Sequence, residues 1–180
     1  MLFNSIQYAI FLPVVFTVYW LLPHKFRWPL LLAASYYFYM SWNPKYVVLI
    51  LFTTVVSYTA ALLIERCQTK RRKRAVLTLA LIVCLGVLFV FKYFNFFFAA
   101  LESAFRLLAI PVHPITLQLI LPVGISFYTF QTLSYVLDVY RGGAAERNFG
   151  VYATFVSFFP QLVAGPIERS ENLLPQIRAR

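Results

Sequence analysis

Apolar positions run along this chain in long uncharged blocks, broken by short stretches that carry proline or basic residues. Ile6–Leu22 is the first block and Trp28–Trp42 a shorter second. Tyr46–Ile64 and Ala75–Phe91 follow, and Thr116–Leu137 is a fifth, more polar one. A helix needs roughly 20 apolar residues to cross a bilayer, with about 17 as the lower limit. Phe94–Ala100 and Val151–Ala164 are too short to span alone and read as re-entrant, interfacial or tilted pieces. Period-2 alternation is absent, so a β-barrel is excluded and the blocks are expected to be helices, which pair their own backbone groups in lipid. The first block lacks a basic leader and a small-residue cleavage site, which makes it an anchor rather than a signal peptide.

The stretch FKYFNFFFAALESAFRLL (Phe91–Leu108) differs in kind. Lys92 and Asn95 interrupt it early, and Glu102 and Arg106 stand at i, i+4. Its pattern predicts an amphipathic helix lying in the interface, with aromatic rings at headgroup depth. The other reading turns Lys92 or Asn95 toward an internal cavity.

Composition sharpens the class. Of 180 residues, 61% are hydrophobic and 12% charged, against about half and a quarter in soluble domains. The expectation is one polytopic membrane domain over residues 1–180, all-α, with about 5–6 membrane segments plus the interfacial helix. The formal charge of +10 is concentrated, because Arg66, Lys70, Arg71, Arg72, Lys73 and Arg74 fall between two blocks. A basic loop of this kind sets topology by the positive-inside rule, so no nucleic-acid partner is expected and lipid headgroups are. That puts Arg66–Arg74 and the Lys25–Arg27 turn in the cytoplasm, and the N-terminus and the Asn43–Lys45 turn outside. The two cysteines, Cys67 and Cys84, suggest neither a disulfide framework nor a metal site.

Two motifs carry candidate chemistry. In LPVGISFYTFQTLSYVLDVYRG, residues Gly124, Tyr128, Gln131, Tyr135, Asp138 and Gly142 recur at helical spacings as one stripe. Leu133, Val136 and Leu137 lie on much of the opposite surface. An ionisable group facing lipid would cost on the order of 3 kcal/mol, so the stripe must face protein or a wet cavity. It either fastens neighbouring helices or lines a tunnel, and its length favours the tunnel. In FFPQLVAGPIERSENLLPQ, Pro160 and Pro166 cannot share one regular helix, and Gly165-Pro166 is a breaker. A short membrane segment should end in a bent loop, with Gln161 before the bend and Glu168 and Arg169 after it, leading to a surface helix. A structural turn and a binding loop remain equally open there.

Together these motifs resemble the membrane-bound O-acyltransferase family, in particular its bacterial alginate O-acetylase branch. LLLAASYYFYMSWNPKYVVL and FKYFNFF are similar to further stretches of that family, so the resemblance covers almost the whole chain. It implies transfer of an acyl group, in this branch acetyl, onto hydroxyls of an exported polysaccharide such as alginate, directly or through a periplasmic relay protein. It further implies the bacterial inner membrane, a tunnel lined or braced by Tyr128, Gln131, Tyr135, Asp138, Gln161, Glu168 and Arg169, and no bound cofactor, the acyl donor being acetyl-CoA or another carrier. The family's catalytic histidine lies in a later segment. His24 and His113 stand in no matching motif, so no catalytic residue and no metal ligand is assigned here. On this resemblance the chain looks like the N-terminal portion of the fold, inactive without its C-terminal half. D-alanine transfer to teichoic acids, or a non-catalytic scaffold or transporter subunit, are the alternatives.

Overall fold

The computed structural model describes residues 4–107, 121–162, 165 and 168–178. Among them there are helices and no strand. Ser5 opens α1 (Ile6–Leu21) by accepting a hydrogen bond from the Tyr8 amide at 3.2 Å. A 3₁₀ turn, His24–Phe26, leads into α2 (Arg27–Met40), where Pro29 sits in the first turn and has no intrahelical partner to lose. A second 3₁₀ turn, Pro44–Tyr46, is capped by Asn43 and starts α3 (Val47–Arg66). Then come α4 (Lys70–Leu88), a π-helical turn (Phe89–Tyr93) and α5 (Phe94–Leu107).

This course corrects two expectations. The basic cluster is not a loop: Arg66 closes α3, only residues 67–69 connect, and Lys70–Arg74 form the first turns of α4. Lysine and arginine are strong helix formers, and neither glycine nor proline occurs between Pro44 and Gly86. Nor is the amphipathic stretch a separate interfacial helix. With no breaker to stop it, the helix runs on through the π turn, and Lys70–Glu102 is one 33-residue apolar rod, about 50 Å long. That exceeds the ~30 Å hydrocarbon core of a bilayer. The side chain of Arg106 lies outside the described residues, while Lys92 reaches α6 by donating to Ser126 Oγ at 2.9 Å.

Among the described residues, two helices are long and apolar enough to cross a membrane, Pro44–Arg66 and Lys70–Glu102, and Ile6–Leu21 and Phe149–Leu162 are shorter apolar ones. Large apolar side chains stand bare on the outer faces of α1, α3 and α4, among them Ile10, Phe16, Val48, Leu79 and Ile82.

The core forms where α6 (Ile125–Tyr140) packs between α3, α4 and α7 (Phe149–Ser157). Ile50, Thr54, Ser57, Ala61 and Ile64 recur every three or four residues on α3 and are all fully buried. These mostly small residues let the backbones come close, and the hydroxyls bond back to carbonyls one turn earlier. Leu133 and Val136 are also buried, so the side of α6 opposite the stripe meets protein where lipid was one option. Phe127 and Phe130 are the large apolar side chains of α6 left exposed.

After α7 the chain breaks at Phe158, makes a short turn, α8 (Phe159–Leu162), bends at Gly165 and ends in α9 (Ser170–Arg178). Gly150 on α7 lies against the Trp28 ring at the start of α2. Leu162 meets Gly124 at the start of α6, but Ser170 bonds Asp138, which lies fourteen residues or about 21 Å further along that helix. The segment is therefore at the Gly124 end of α6 by Leu162 and back at the Asp138 end by Ser170, a hairpin against that helix.

Candidate functional site

The hairpin exists because two side chains repair its break. Phe155 O and Phe159 N would pair in an unbroken helix. Instead Gln131 Nε2 donates to Phe155 O at 2.9 Å, and Phe159 N donates to Ser35 Oγ at 3.2 Å. Broken helices survive at membrane depth only when such freed backbone groups find partners. Gly124 makes the other close approach. It caps α6 with φ 75°, and a Cβ there would stand 2.6 Å from Leu162 O, so only glycine fits.

Of the stripe, Tyr128, Gln131 and Tyr135 are buried, Gly124 and Asp138 partly so, while Gly142 lies exposed beyond the end of α6, and its members do different things. Gln131 holds the hairpin. The Tyr135 hydroxyl accepts from the Glu146 amide at 2.8 Å while its ring lies 4.5 Å from that of Tyr152. Asp138 Oδ2, half-buried, accepts from Ser170 Oγ at 3.0 Å. Tyr128 is fully buried, packs edge-on against Tyr39 at 6.4 Å, and its hydroxyl stands beside that of Tyr39, a contact short of good hydrogen-bond geometry, with no other partner among the described residues. Among the described residues, Gln161, near the hairpin tip, is buried with neither amide atom paired, and Tyr36 and Thr129 carry buried hydroxyls without a hydrogen bond. A buried group left so forfeits about 1–3 kcal/mol relative to a bonded one.

Glu168 and Arg169 are exposed in the turn before α9 and do not join the stripe. Glu168 accepts hydrogen bonds from the Arg169 amide and from Asn172, which fits a helix-start role. His24 sits in the α1–α2 turn, and His113 lies outside the described residues, as do residues 116–120 of the fifth apolar block and Pro166 of the breaker.

At the other end of α6, a polar network goes beyond what the motifs suggested. Glu146, with only 1% of its side chain exposed, pairs with Arg178 and accepts from the Asn148 amide. Glu65 pairs with Arg147 and accepts from the Ala145 amide, and Tyr58 donates to Arg147 O at 2.6 Å. A cleft of about 190 Å³ opens beside Asp138, Glu146, Ser170 and Arg178. One sequence signal was available: Glu65 and Glu146 belong to a set of just six acidic residues. Among the described residues, no three His, Cys, Asp or Glu side chains gather as a metal site would need.

Curated relatives resemble the chain along its whole length. A probable alginate O-acetylase of Azotobacter vinelandii is 39% identical over 100% of the chain, and one of Pseudomonas aeruginosa 38%. A peptidoglycan O-acetyltransferase of Helicobacter pylori is 35% identical over 99% of it. The chain spans 36%, 35% and 39% of these relatives' lengths, a little over a third. No family model matches the chain. No solved structure matches it either.

Proposed function

Since the chain belongs to the membrane-bound O-acyltransferase family, beside the alginate O-acetylases, we propose that it forms part of the wall of a membrane O-acetyltransferase. The observation that carries this reading is the identity to acetylases running from one end of the chain to the other. In this reading α1, α2, α3, the α4–α5 rod and α6 cross the bacterial inner membrane, and the α7–α9 hairpin re-enters from the cytoplasmic side. The N-terminus faces outward, and the basic start of α4 faces the cytoplasm, where lysine and arginine are favoured.

The donor, acetyl-CoA or another acyl carrier, approaches from the cytoplasm. The acceptor is a hydroxyl of an exported polysaccharide or of a periplasmic relay protein. Tyr128 and Gln161 face the path between them. Their hydroxyl and amide sit in a dry surrounding, where a hydrogen bond to a reacting carbonyl or hydroxyl is stronger than in water. Gln131, Tyr135 and Asp138 brace that wall rather than line it. The base that takes the acceptor proton must reach it directly or through one water. Neither His24 nor His113 is assigned that role, which falls to residues outside the chain described here.

A second acceptor has specific support, because the Helicobacter pylori relative is a peptidoglycan O-acetyltransferase. Complementation separates the two. A strain lacking its own acetylase receives the whole reading frame that carries this chain, and the ester-linked acetyl content of exopolysaccharide and of peptidoglycan is measured. Restored acetyl groups on the exopolysaccharide are expected. Acetyl groups on peptidoglycan alone would select the second acceptor, and none on either would sink the reading.

A further inference from the structure

Beside the hairpin, an apolar groove of about 310 Å³ runs between α1, α2 and α9. Its floor is Val15, Phe159 and Ile177, all buried, and its rim is Phe16, Tyr19 and Trp20, of which Phe16 and Trp20 are more than half exposed. The lining extends from Leu12 to Trp20 on α1, about 12 Å of helix against a ~15 Å half-thickness of hydrocarbon. The volume lies at the low end of the range for ligand pockets, room for one chain and not for several.

A cation closes one end. The guanidinium of Arg27 lies 5.0 Å from the Tyr19 ring and 5.5 Å from the Trp20 ring, the same two rings that form the rim. Its Nε donates to Leu22 O at 3.3 Å, which fixes the head and leaves the terminal amino groups as donors for an anion. Lys25 stands in the same turn, over the Phe26 ring. No aspartate or glutamate occurs before Glu65 in the sequence, so no neighbouring acid on α1, α2 or α3 before that point neutralises this end.

An apolar trough of leaflet length, with an arginine at its mouth that forms no ion pair among the described residues, matches one chemistry, a hydrocarbon tail joined to an anionic headgroup. We propose that the groove holds one anionic phospholipid, one of its two acyl chains along α1, the other in the surrounding bilayer, and its phosphate at Arg27. A free phosphate would leave the trough empty, and a zwitterionic lipid would gain less from Arg27 and Lys25. The lipid would seal α1 to the hairpin leg, which the floor residues Phe159 and Ile177 join only in part. The proposal rests on α1 and α2 crossing the membrane and not on acetyl transfer.

The test uses the protein expressed from its whole reading frame, purified in mild detergent and examined by native mass spectrometry after exposure to phosphatidylglycerol or phosphatidylcholine. Wild type is expected to retain one phosphatidylglycerol. Arg27→Gln should reduce its preference over phosphatidylcholine at least fivefold, and Val15→Trp, which fills the floor, should remove the retained lipid. Should Val15→Trp fail to fold, the rim substitution Arg27→Gln still decides. A wild type that retains no phospholipid would mean that polypeptide fills the groove and would overturn the proposal. Equal retention of both lipids by wild type, or an Arg27→Gln protein with unchanged preference, would overturn it too. Failure of the protein to fractionate with membranes would instead refute the premise about α1 and α2.

Discussion

The two ends of α6 carry the same kinds of residue and solve opposite problems. Toward its C-terminus, Tyr135 and Asp138 are bonded, and the adjoining Glu146 and Glu65 have cationic partners. Toward its N-terminus, Tyr128 and Thr129, with Gln161 at the hairpin tip, are buried without a well-formed side-chain hydrogen bond among the described residues, the Tyr128 hydroxyl having only that of Tyr39 beside it. A satisfied polar network specifies a packing arrangement, while an unsatisfied one is costly unless something else uses it. Gln131 sits between the two and belongs with the bonded end, because it caps the broken hairpin. Residue type alone does not separate a fastening from a site. The partner does.

The comparison breaks first if the hairpin is pulled away from α6. Gly124→Val would put a β-branched residue at φ 75° and a Cβ 2.6 Å from Leu162 O. The expected loss exceeds about 4 kcal/mol, so little folded protein should accumulate in membranes by fluorescence-detected gel filtration. Next comes the bonded end. Arg178→Ala leaves Glu146 buried without its cation, which costs about 3 kcal/mol, at the low end for a broken buried pair because Arg178 itself is half exposed. Thermal denaturation should register it, and the parallel change Glu168→Ala should not, since that carboxylate is exposed. A smaller loss, about 2 kcal/mol, is expected for Gln131→Leu, which strands Phe155 O. If Gln131→Leu left the melting temperature unchanged, Gln131 would belong with the unpaired end instead.

Much of this was legible in the residues themselves. The uncharged blocks foretold helices, Tyr128, Gln131 and Tyr135 foretold a buried face, and Gly165 foretold a bend, whereas the break at Phe158 had no such signal. The rest depended on partners far along the chain. Arg66–Arg74 read as a loop because its charge was weighed and its helix propensity was not. The stripe Ile50, Thr54, Ser57, Ala61 and Ile64 has the same rhythm as the one on α6, yet it is mostly small and apolar, so it drew no notice. Leu133 offered no sign of whether lipid or protein would cover it, since either solvent suits leucine. That Gln131 would meet Phe155 O, and that Gln161 would meet nothing, is a tertiary fact with no local signal.

The smallest stability change tests the central claim most directly. Tyr128→Phe deletes a buried hydroxyl whose neighbour is the Tyr39 hydroxyl in poor hydrogen-bond geometry, so stability should change by no more than about 1 kcal/mol. If that hydroxyl serves the reacting groups, acetyl transfer by the protein expressed from its whole reading frame should nevertheless fall about tenfold, since one lost transition-state hydrogen bond of about 1.4 kcal/mol is a factor of ten. The measurement is acetyl ester formed per folded enzyme, taken beside the melting curve of the same preparation. Lower transfer with stability held within that margin is the predicted result. Unchanged transfer, or a fall in transfer matched by a fall in stability, would contradict the assignment of the unpaired end of α6 to function.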